Sequence, residues 1–267
     1  AVDLEGISTV THEWETDPAA RGYPRARAAM HDDLLAALAG CRAAGADEFV
    51  VCDAHNDGGN LDPDAMPAGT TLVAGSPTPD SMMHGIGPGL DAALFIGYHA
   101  RAGTPAAVLE HTWTYRVFRV SVGDVEAGEF GLGALLAGHY GVPAVYVSGD
   151  DKVAAEARAL VPGIMATEVK RGVMRTSAEL MPPDEARARI RADVEAALAK
   201  RFEIEPLRWS GHPLMLTFTR VPFCDAASAH SGARRVDGRT LEIHGEDFAE
   251  VYRGFLACLD LANLVAQ

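Results

Sequence analysis

The chain of 267 residues is long enough for one large domain or two smaller ones. An apolar fraction of 48% and a charged fraction of 22% are ordinary for a folded globular protein and argue against disorder. The formal net charge of −14 argues against a nucleic-acid partner, because binding to the phosphate backbone requires clustered lysine and arginine.

The expected location is the cytoplasm, with no membrane partner. No apolar run approaches the roughly 18 residues that a membrane helix needs, and no signal-peptide pattern opens the chain. Cys41, Cys52, Cys224 and Cys258 are scattered without a C-x-x-C pair. This spacing predicts reduced, buried thiols rather than a disulfide framework.

Helical and strand patterns alternate through the first two-thirds of the chain, which predicts crossover units and a mainly parallel sheet. An opening strand carries Asp3 and Glu5, and because only two residues precede Asp3 we expect a few residues of this strand to be missing from the sequence. The predicted elements that follow are a helix over 25–44, strands over 48–52, 71–74 and 91–96, an antiparallel hairpin over 112–126, a helix over 130–140, a strand over 144–147 and a helix over 151–160.

The last third of the chain has a different pattern. A helix over 183–202 is amphipathic, with Ile190, Val194 and Leu198 four apart on one face. Strands over 213–219 and 240–243 and a closing helix over 248–264 follow. The prediction is an α/β fold, with a mainly parallel sheet flanked by helices and a smaller α+β C-terminal portion. We expect a metal-binding catalytic domain over 1–180, and a portion over 181–267 that supports oligomerisation or the substrate pocket.

Carboxylates and imidazoles follow three apolar, strand-like segments. Asp3 and Glu5 lie in the first, His55 follows the second and His99 follows the third. The ends of parallel strands meet at one edge of a sheet, so these side chains can converge. In an extended strand Asp3 and Glu5 share a face, where like charges repel unless a cation lies between them. Because carboxylate oxygen and imidazole nitrogen both suit zinc or a similar ion, we predict a metal-dependent hydrolase.

Each of these residues also has a structural explanation. A histidine at a strand-to-loop junction is by default structural, and this applies to His55 and His99 taken singly. His111 could be a metal ligand or a proton-transfer group, since an imidazole with a pKa of about 6.5 suits general acid–base catalysis. Glu129 stands where a helix is predicted to begin, and a carboxylate there is favoured by the helix dipole.

Several common catalytic motifs are absent from the sequence. There is no G-x-S-x-G, no phosphate-cradling glycine loop and no H-E-x-x-H. Serine hydrolase, nucleotide-binding and zincin functions therefore have no motif in their favour.

Four segments in this order carry a resemblance to a known family. They are D-L-E-G-I-S from Asp3, V-C-D-A-H-N from Val51, F-I-G-Y-H-A-R-A-G-T-P from Phe95 and G-E-F-G-L-G-A from Gly128. As an ordered set they resemble the bacterial D-aminopeptidase family of the dipeptide-transport operon, a family of cytoplasmic, self-compartmentalising zinc peptidases. Further matches over 141–151 and 166–177 extend the resemblance over at least the first 180 residues.

The resemblance implies a dinuclear zinc site, with two ions per subunit. The implied ligands are Asp3, Glu5, His55, His99 and Glu129. Within this set Asp3 bridges the two metals, and His111 is the catalytic residue. The resemblance also implies a homodecamer of two stacked pentameric rings, whose active sites face an internal chamber.

The predicted function is a zinc-dependent aminopeptidase that removes the N-terminal residue, a D-amino acid, from short peptides or amino amides. A metal-activated water attacks the peptide bond, and His111 transfers a proton to the leaving amine. Lys170 and Arg175 are candidates to bind the C-terminal carboxylate of the substrate, or to form ion pairs at a subunit contact.

Two other functions stay open from the sequence. One is a zinc amidohydrolase or deacylase that acts on a non-peptide amide, and the other is a non-catalytic ring scaffold that keeps the metal. The sequence does not determine the preference for D or L residues or the pathway. It also does not determine the native metal, because the ligand set admits zinc, manganese or cobalt.

Overall fold

Strands and helices alternate along the chain in this computed structural model, which describes residues 1–266. The strands are β1 (Phe49–Cys52), β2 (Thr70–Val73), β3 (Ala93–Tyr98), β4 (Val117–Val122), β5 (Val125–Glu126), β6 (Ala144–Asp150), β7 (Met165–Met174), β8 (Ser177–Leu180), β9 (Leu214–Phe218), β10 (Ala233–Arg235) and β11 (Thr240–Ile243). The α-helices are α1 (Tyr23–Ala43), α2 (Glu129–His139), α3 (Asp151–Leu160), α4 (Pro183–Ala199), α5 (Val221–Ala227) and α6 (Phe248–Asn263).

The central sheet is mainly parallel, as predicted. Strands β3, β6 and β7 run parallel side by side, and β8 pairs antiparallel with β7. Residues 1–3 join this sheet to the parallel β1–β2 pair: the Val2 amide donates to the Cys52 carbonyl at 2.9 Å, and the Asp3 amide donates to the Ile96 carbonyl at 2.8 Å. Every residue of β6 is buried, as expected for a strand covered on both faces.

The predicted opening strand is shorter than expected. Only Val2 makes ladder bridges, and the chain turns directly after Asp3. Gly6 allows this turn to lie against the backbone of β3, because a Cβ at Gly6 would be 1.9 Å from the Tyr98 carbonyl oxygen. Glu5 therefore lies in a turn, and its place beside Asp3 does not come from the two-residue repeat of a strand.

A second sheet is antiparallel and has the order β10-β11-β9-β4-β5. The predicted hairpin is confirmed, with β4 and β5 joined through Gly123 and Asp124. Strand β9 pairs with β4, so this sheet contains strands from both sides of residue 180. The two-domain division after residue 180 stays a prediction.

The helices cover the central sheet in two pairs. Helices α1 and α4 pack on each other and on β3, β6 and β7, while α2 and α3 pack on each other and on the same strands. Right-handed crossovers from β3 to β6 and from β6 to β7 put α2 and α3 on the same face of the sheet. Helix α6 connects α2 to the second sheet. Within residues 1–266, no helix combines the length and the apolar character needed to cross a bilayer.

Helix packing confirms most of the predicted apolar faces. Ile190, Val194 and Leu198 of α4 are buried as predicted. Leu35 of α1 is exposed, although it lies at helical spacing from the buried Leu38. The α-helix predicted over 183–202 ends at Ala199 and continues as a short 3₁₀ turn.

Strands β7, β8 and β10 and helix α5 were not predicted. Strand β7 contains Glu168, Lys170 and Arg171 among apolar residues, so its sequence has neither a continuous apolar run nor a clean alternation. Lys170 is nevertheless buried, because its ammonium is bonded to backbone carbonyls inside the protein. A buried lysine of this kind interrupts the hydrophobic pattern, so the strand cannot be recognised from the sequence.

Replacement of Gly149 by alanine is expected to lower the free energy of unfolding by about 1–3 kcal/mol, because overpacking against rigid backbone is costly. A Cβ at this position of β6 would lie 2.1 Å from the Tyr98 carbonyl oxygen. Gly87→Ala is the matched control, since a Cβ there meets no atom within 4 Å. Urea denaturation of both variants measures the difference, and equal losses in the two variants would contradict the close approach.

Candidate metal centre

The six residues predicted for the site lie together in two groups of three. The groups are Asp3, Glu5 and His55, and His99, His111 and Glu129. Within each group, one ligand atom from each residue lies within 4.8 Å of the others. All but His111 are fully buried.

Most of these side chains lie at the ends of strands, as the sequence predicts. His55 follows β1, His99 follows β3, and Asp3 ends the segment that lies between these two strands. Glu129 is the first residue of α2. Its carboxylate does not cap that helix: it accepts a hydrogen bond from the Trp113 amide at 2.6 Å and faces His99.

The carboxylate of Asp3 joins the two groups. Its Oδ1 lies 3.4 Å from His55 Nδ1, and its Oδ2 lies 3.4 Å from His99 Nε2. Glu5 Oε2 lies 3.1 Å from the same His55 nitrogen, and Glu129 Oε2 lies 3.4 Å from the same His99 nitrogen. Each imidazole nitrogen therefore faces two carboxylates, one of which is shared.

The second ring nitrogen of each histidine is held by a backbone carbonyl. His99 Nδ1 donates to Ala100 at 3.0 Å and His111 Nδ1 donates to Leu109 at 2.8 Å. His55 Nε2 lies 2.9 Å from the Thr16 carbonyl and 2.8 Å from the Asn56 side-chain amide nitrogen. Because a carbonyl only accepts, the contacts of His99 and His111 place a proton on Nδ1, so Nε2 is the nitrogen that faces the carboxylates and is available to a cation. Metal-binding histidines are oriented in this way.

Asp53 and Asn60 form hydrogen bonds that hold the backbone around His55 in place. The Asp53 carboxylate accepts hydrogen bonds from the backbone and side-chain amides of Asn60, at 2.6 and 2.7 Å, and from the Leu61 amide at 2.8 Å. The Asn60 side chain also donates to the His55 carbonyl at 2.7 Å. These bonds fix the loop that follows β1, a role that Asp53 has in addition to ending the strand.

Three buried carboxylates give the centre an excess of negative charge. Burial and the charge of Glu5 together raise the pKa of Asp3 to about 7. Burial by itself lowers the pKa of His99, but Glu129 and Asp3 raise it well above its usual range. The same balance with Glu5 and Asp3 raises the pKa of His55. Buried charge of this kind has to be balanced by protons or by a cation.

The donor set fits a divalent cation. Asp3 Oδ2, Glu5 Oε2 and His99 Nε2 are buried and have no hydrogen-bond partner in the structure. Asp3 Oδ2 lies 3.4 Å from His99 Nε2, and Glu5 Oε2 lies in the other ligand group, 3.1 Å from His55 Nδ1. Oxygen and nitrogen donors of this kind suit zinc, manganese or cobalt, and cations held at the two groups would satisfy these atoms.

His111 connects the buried centre to a cavity of about 550 Å³. Its ring stacks on His99 with centroids 4.0 Å apart, and its Nε2 lies 3.7 Å from Glu129 Oε1. The His111 side chain is 14% exposed, compared with 1% for His99. Burial and the neighbouring His99 lower the pKa of His111, so its imidazole is neutral near pH 7 and can accept a proton.

Comparison with known proteins identifies the family of this chain. A family model described as D-aminopeptidase matches residues 1–257. The chain belongs to the D-aminopeptidase family. A D-aminopeptidase of Bacillus subtilis (strain 168) is 31% identical over 264 residues, which cover 98% of this chain and 96% of the relative.

A solved structure extends this comparison to the fold. It is described as the Zn-dependent D-aminopeptidase DppA from Bacillus subtilis, a self-compartmentalizing protease. The two structures agree with a TM-score of 0.96 at 30% identity, over 100% of this chain and 97% of the other. The family resemblance and the predicted α/β fold are thus confirmed.

The loop that carries His111 in this family member has an unusual backbone. Ala106, Leu109 and Trp113 have φ values of 56°, 53° and 60°, in the left-handed region that residues other than glycine rarely adopt. A hydrogen bond from the Val108 amide to Asp150 Oδ2 at 2.8 Å anchors the loop to the end of β6. The surrounding structure therefore fixes the position of His111 at a cost in local strain.

Lys170 does not face the cavity, so the sequence-based idea that it binds a substrate carboxylate is wrong for this residue. Its ammonium donates to the carbonyls of Glu5 at 2.6 Å, Ile7 at 2.9 Å and Val10 at 2.5 Å. All three N–H donors are used by these contacts. Burial lowers the pKa of Lys170 to about 8. The residue holds the turn that carries Glu5, and no sequence motif signals this role.

Replacement of Lys170 by methionine is expected to lower the free energy of unfolding by about 2–5 kcal/mol, because buried carbonyls lose charged hydrogen-bond donors. Lys152→Met is the matched control, since Lys152 is partly exposed and pairs with Asp151 next to it. Its expected effect is within about 0.5 kcal/mol. Thermal and urea unfolding measure both, and an unchanged stability of the Lys170 variant would contradict the proposed clamp on the turn.

Proposed function

We propose that this chain is a zinc-dependent aminopeptidase that removes an N-terminal D-amino acid from short peptides or amino amides. The observation that carries this proposal is the pair of buried ligand groups joined by Asp3, beside a cavity that His111 lines. Membership of the D-aminopeptidase family supports the reaction. The description of the Bacillus subtilis structure as Zn-dependent supports the metal.

The proposed centre holds two zinc ions per chain. Glu5 and His55 would hold one ion and His99 and Glu129 the other, with Asp3 as the ligand between the two groups. The distances from Asp3 to both histidines support the bridging role. The lone pairs without hydrogen-bond partners on Asp3, Glu5 and His99 support the presence of a cation.

The proposed mechanism assigns proton transfer to His111. Bound zinc would supply Lewis-acid chemistry, which polarises a carbonyl and lowers the pKa of water towards neutrality. The neutral His111 ring takes up a proton at Nε2 and passes it to the leaving amine, because its Nδ1 is engaged by the Leu109 carbonyl. Stacking on His99 keeps this nitrogen beside the centre. A positioned base of this kind contributes about 10²- to 10⁴-fold to the rate.

Family membership favours a peptidase over the amidohydrolase and scaffold alternatives. The scaffold alternative is also disfavoured by His111. A metal-binding protein without catalysis has no need of a neutral imidazole held between the metal ligands and a cavity. The strained loop that holds His111 is a cost that a scaffold would have no reason to keep.

We propose that the chains assemble into a homodecamer of two stacked pentamers in the cytoplasm. The Bacillus subtilis relative is described as a self-compartmentalizing protease, which supports an enclosed assembly. All four cysteines are buried and free, as predicted, which fits a reducing compartment. Active sites inside a chamber would limit the substrates to short peptides.

The Asp3→Asn variant is expected to bind less than one zinc ion per chain, whereas the wild type binds about two, because the shared carboxylate of a two-metal site is lost. Asp91→Asn is the control: Asp91 precedes β3 at the opposite edge of the sheet and is largely exposed. Zinc is measured by elemental analysis of protein purified without chelator. Wild-type protein without metal would contradict the proposed centre.

The His111→Ala variant is expected to keep its zinc and to lose activity by about 10²- to 10⁴-fold, since the proton-transfer group is removed. The assay is release of D-alanine from D-alanyl-D-alanine. His139→Ala is the control, because His139 is exposed at the end of α2. Full activity in the His111 variant would contradict its catalytic role. A zinc-loaded wild type that cleaves no peptide would favour the amidohydrolase or scaffold alternatives.

A further inference from the structure

The cavity beside His111 has walls that carry both signs of charge. Three arginines and three glutamates line it: Arg101, Arg119, Arg175, Glu13, Glu110 and Glu126. The charges balance in number, but they are not evenly mixed. Positive charge is in excess in one part of the cavity, and negative charge is in excess in another part.

One part has an excess of positive charge. Glu126 of β5 is contacted by two arginines: Arg101 Nη1 lies 2.5 Å from its Oε2, and Arg119 of β4 contacts its Oε1. Two guanidinium groups thus share one carboxylate. The Arg119 side chain is 56% exposed, so some of its five N–H donors stay free to bind a ligand. We call Arg101, Arg119 and Glu126 the basic cluster.

The other part has an excess of negative charge. Arg175 contacts the carboxylate of Glu13, and its Nε lies 3.5 Å from Glu110 Oε1. One guanidinium thus serves two carboxylates. Arg175 packs over the Tyr115 ring at 5.0 Å, and that ring lies 5.3 Å from the His111 ring. We call Arg175, Glu13 and Glu110 the acidic cluster, and these contacts place it beside His111.

We propose that this cavity binds its substrate as a short zwitterionic peptide, with the C-terminal carboxylate on the basic cluster and the N-terminal ammonium towards the acidic cluster. This inference rests on the proposed aminopeptidase function. An unblocked dipeptide or tripeptide carries opposite charges at its two ends, and guanidinium groups match a carboxylate with paired N–H donors. A volume of about 550 Å³ lies within the range of small-molecule sites. Lys170 cannot take this role, because carbonyls use its donors.

The proposal orients the peptide across the site. The acidic cluster includes Glu110, next to His111 in sequence, so the ammonium end lies on the side of His111. The basic cluster is built on the β4–β5 hairpin, so the leaving amino acid lies towards that hairpin. A peptide whose carboxylate is blocked or lies several residues away would lose the second contact.

The test compares kcat/KM for D-alanyl-D-alanine and for its C-terminal amide, using the zinc-loaded full chain. The wild type is expected to prefer the free acid by about 5- to 50-fold, as a charge-assisted contact in a partly exposed cavity allows. Arg119→Gln is expected to abolish this preference by raising KM for the free acid. Arg234→Gln is the control, since Arg234 pairs with Glu242 on the surface, outside the cavity.

A second variant tests the proposal independently in case Arg119→Gln does not fold. Glu126→Gln removes the carboxylate that competes for both arginines, so the preference for the free acid is expected to be at least as large as in the wild type. Equal kcat/KM of the wild type on both substrates would overturn the zwitterion proposal and leave the proposed function intact. A preference that survives in Arg119→Gln would also overturn it. Absence of cleavage of both substrates by the wild type would overturn the proposed function itself.

Discussion

The burial of three carboxylates at one point is the constraint on which the rest of this structure depends. Asp3, Glu5 and Glu129 lie within a few ångströms of the same two imidazoles and are shielded from water. Uncompensated, such a cluster would cost more than the marginal stability of a typical domain supplies. A cation relieves that cost, and so do protons on the histidines. The fold therefore has to hold the ligands together in spite of their mutual repulsion.

Backbone contacts provide that restraint. The turn that carries Glu5 is held from below by the ammonium of Lys170 and is pressed against β3 where Gly6 leaves room for the Tyr98 carbonyl. Main-chain carbonyls also hold one nitrogen of each histidine. These groups are uncharged or carry positive charge, so they fix the ligands without adding to the negative charge of the centre.

The sequence was sufficient to predict the convergence of the site but not the details of its construction. His55 and His99 follow apolar strands, and the ends of parallel strands meet, so their proximity followed from the pattern. The place of Glu5 did not, because the chain turns after Asp3 instead of continuing as a strand. Lys170 was misinterpreted because a lysine in a polar strand gives no sign that tertiary packing will bury it. The pairing of β4 with β9 was also out of reach, since contacts between distant segments leave no local periodicity.

The three histidines of the centre show how one residue type takes two roles through its surroundings. His55 and His99 each face two carboxylates, and those carboxylates raise the pKa of both rings in spite of burial. His111 faces a single carboxylate at 3.7 Å and stacks on His99, so burial and its neighbour lower its pKa instead. When the surroundings raise the pKa of some histidines and lower the pKa of another, the histidines take different roles. Some bind a charged ion, and the other exchanges protons. A cation between the carboxylates would displace the protons of His55 and His99 and would keep His111 neutral, since it adds positive charge nearby. The arrangement that makes two of the rings ligands thus keeps the third available as a base.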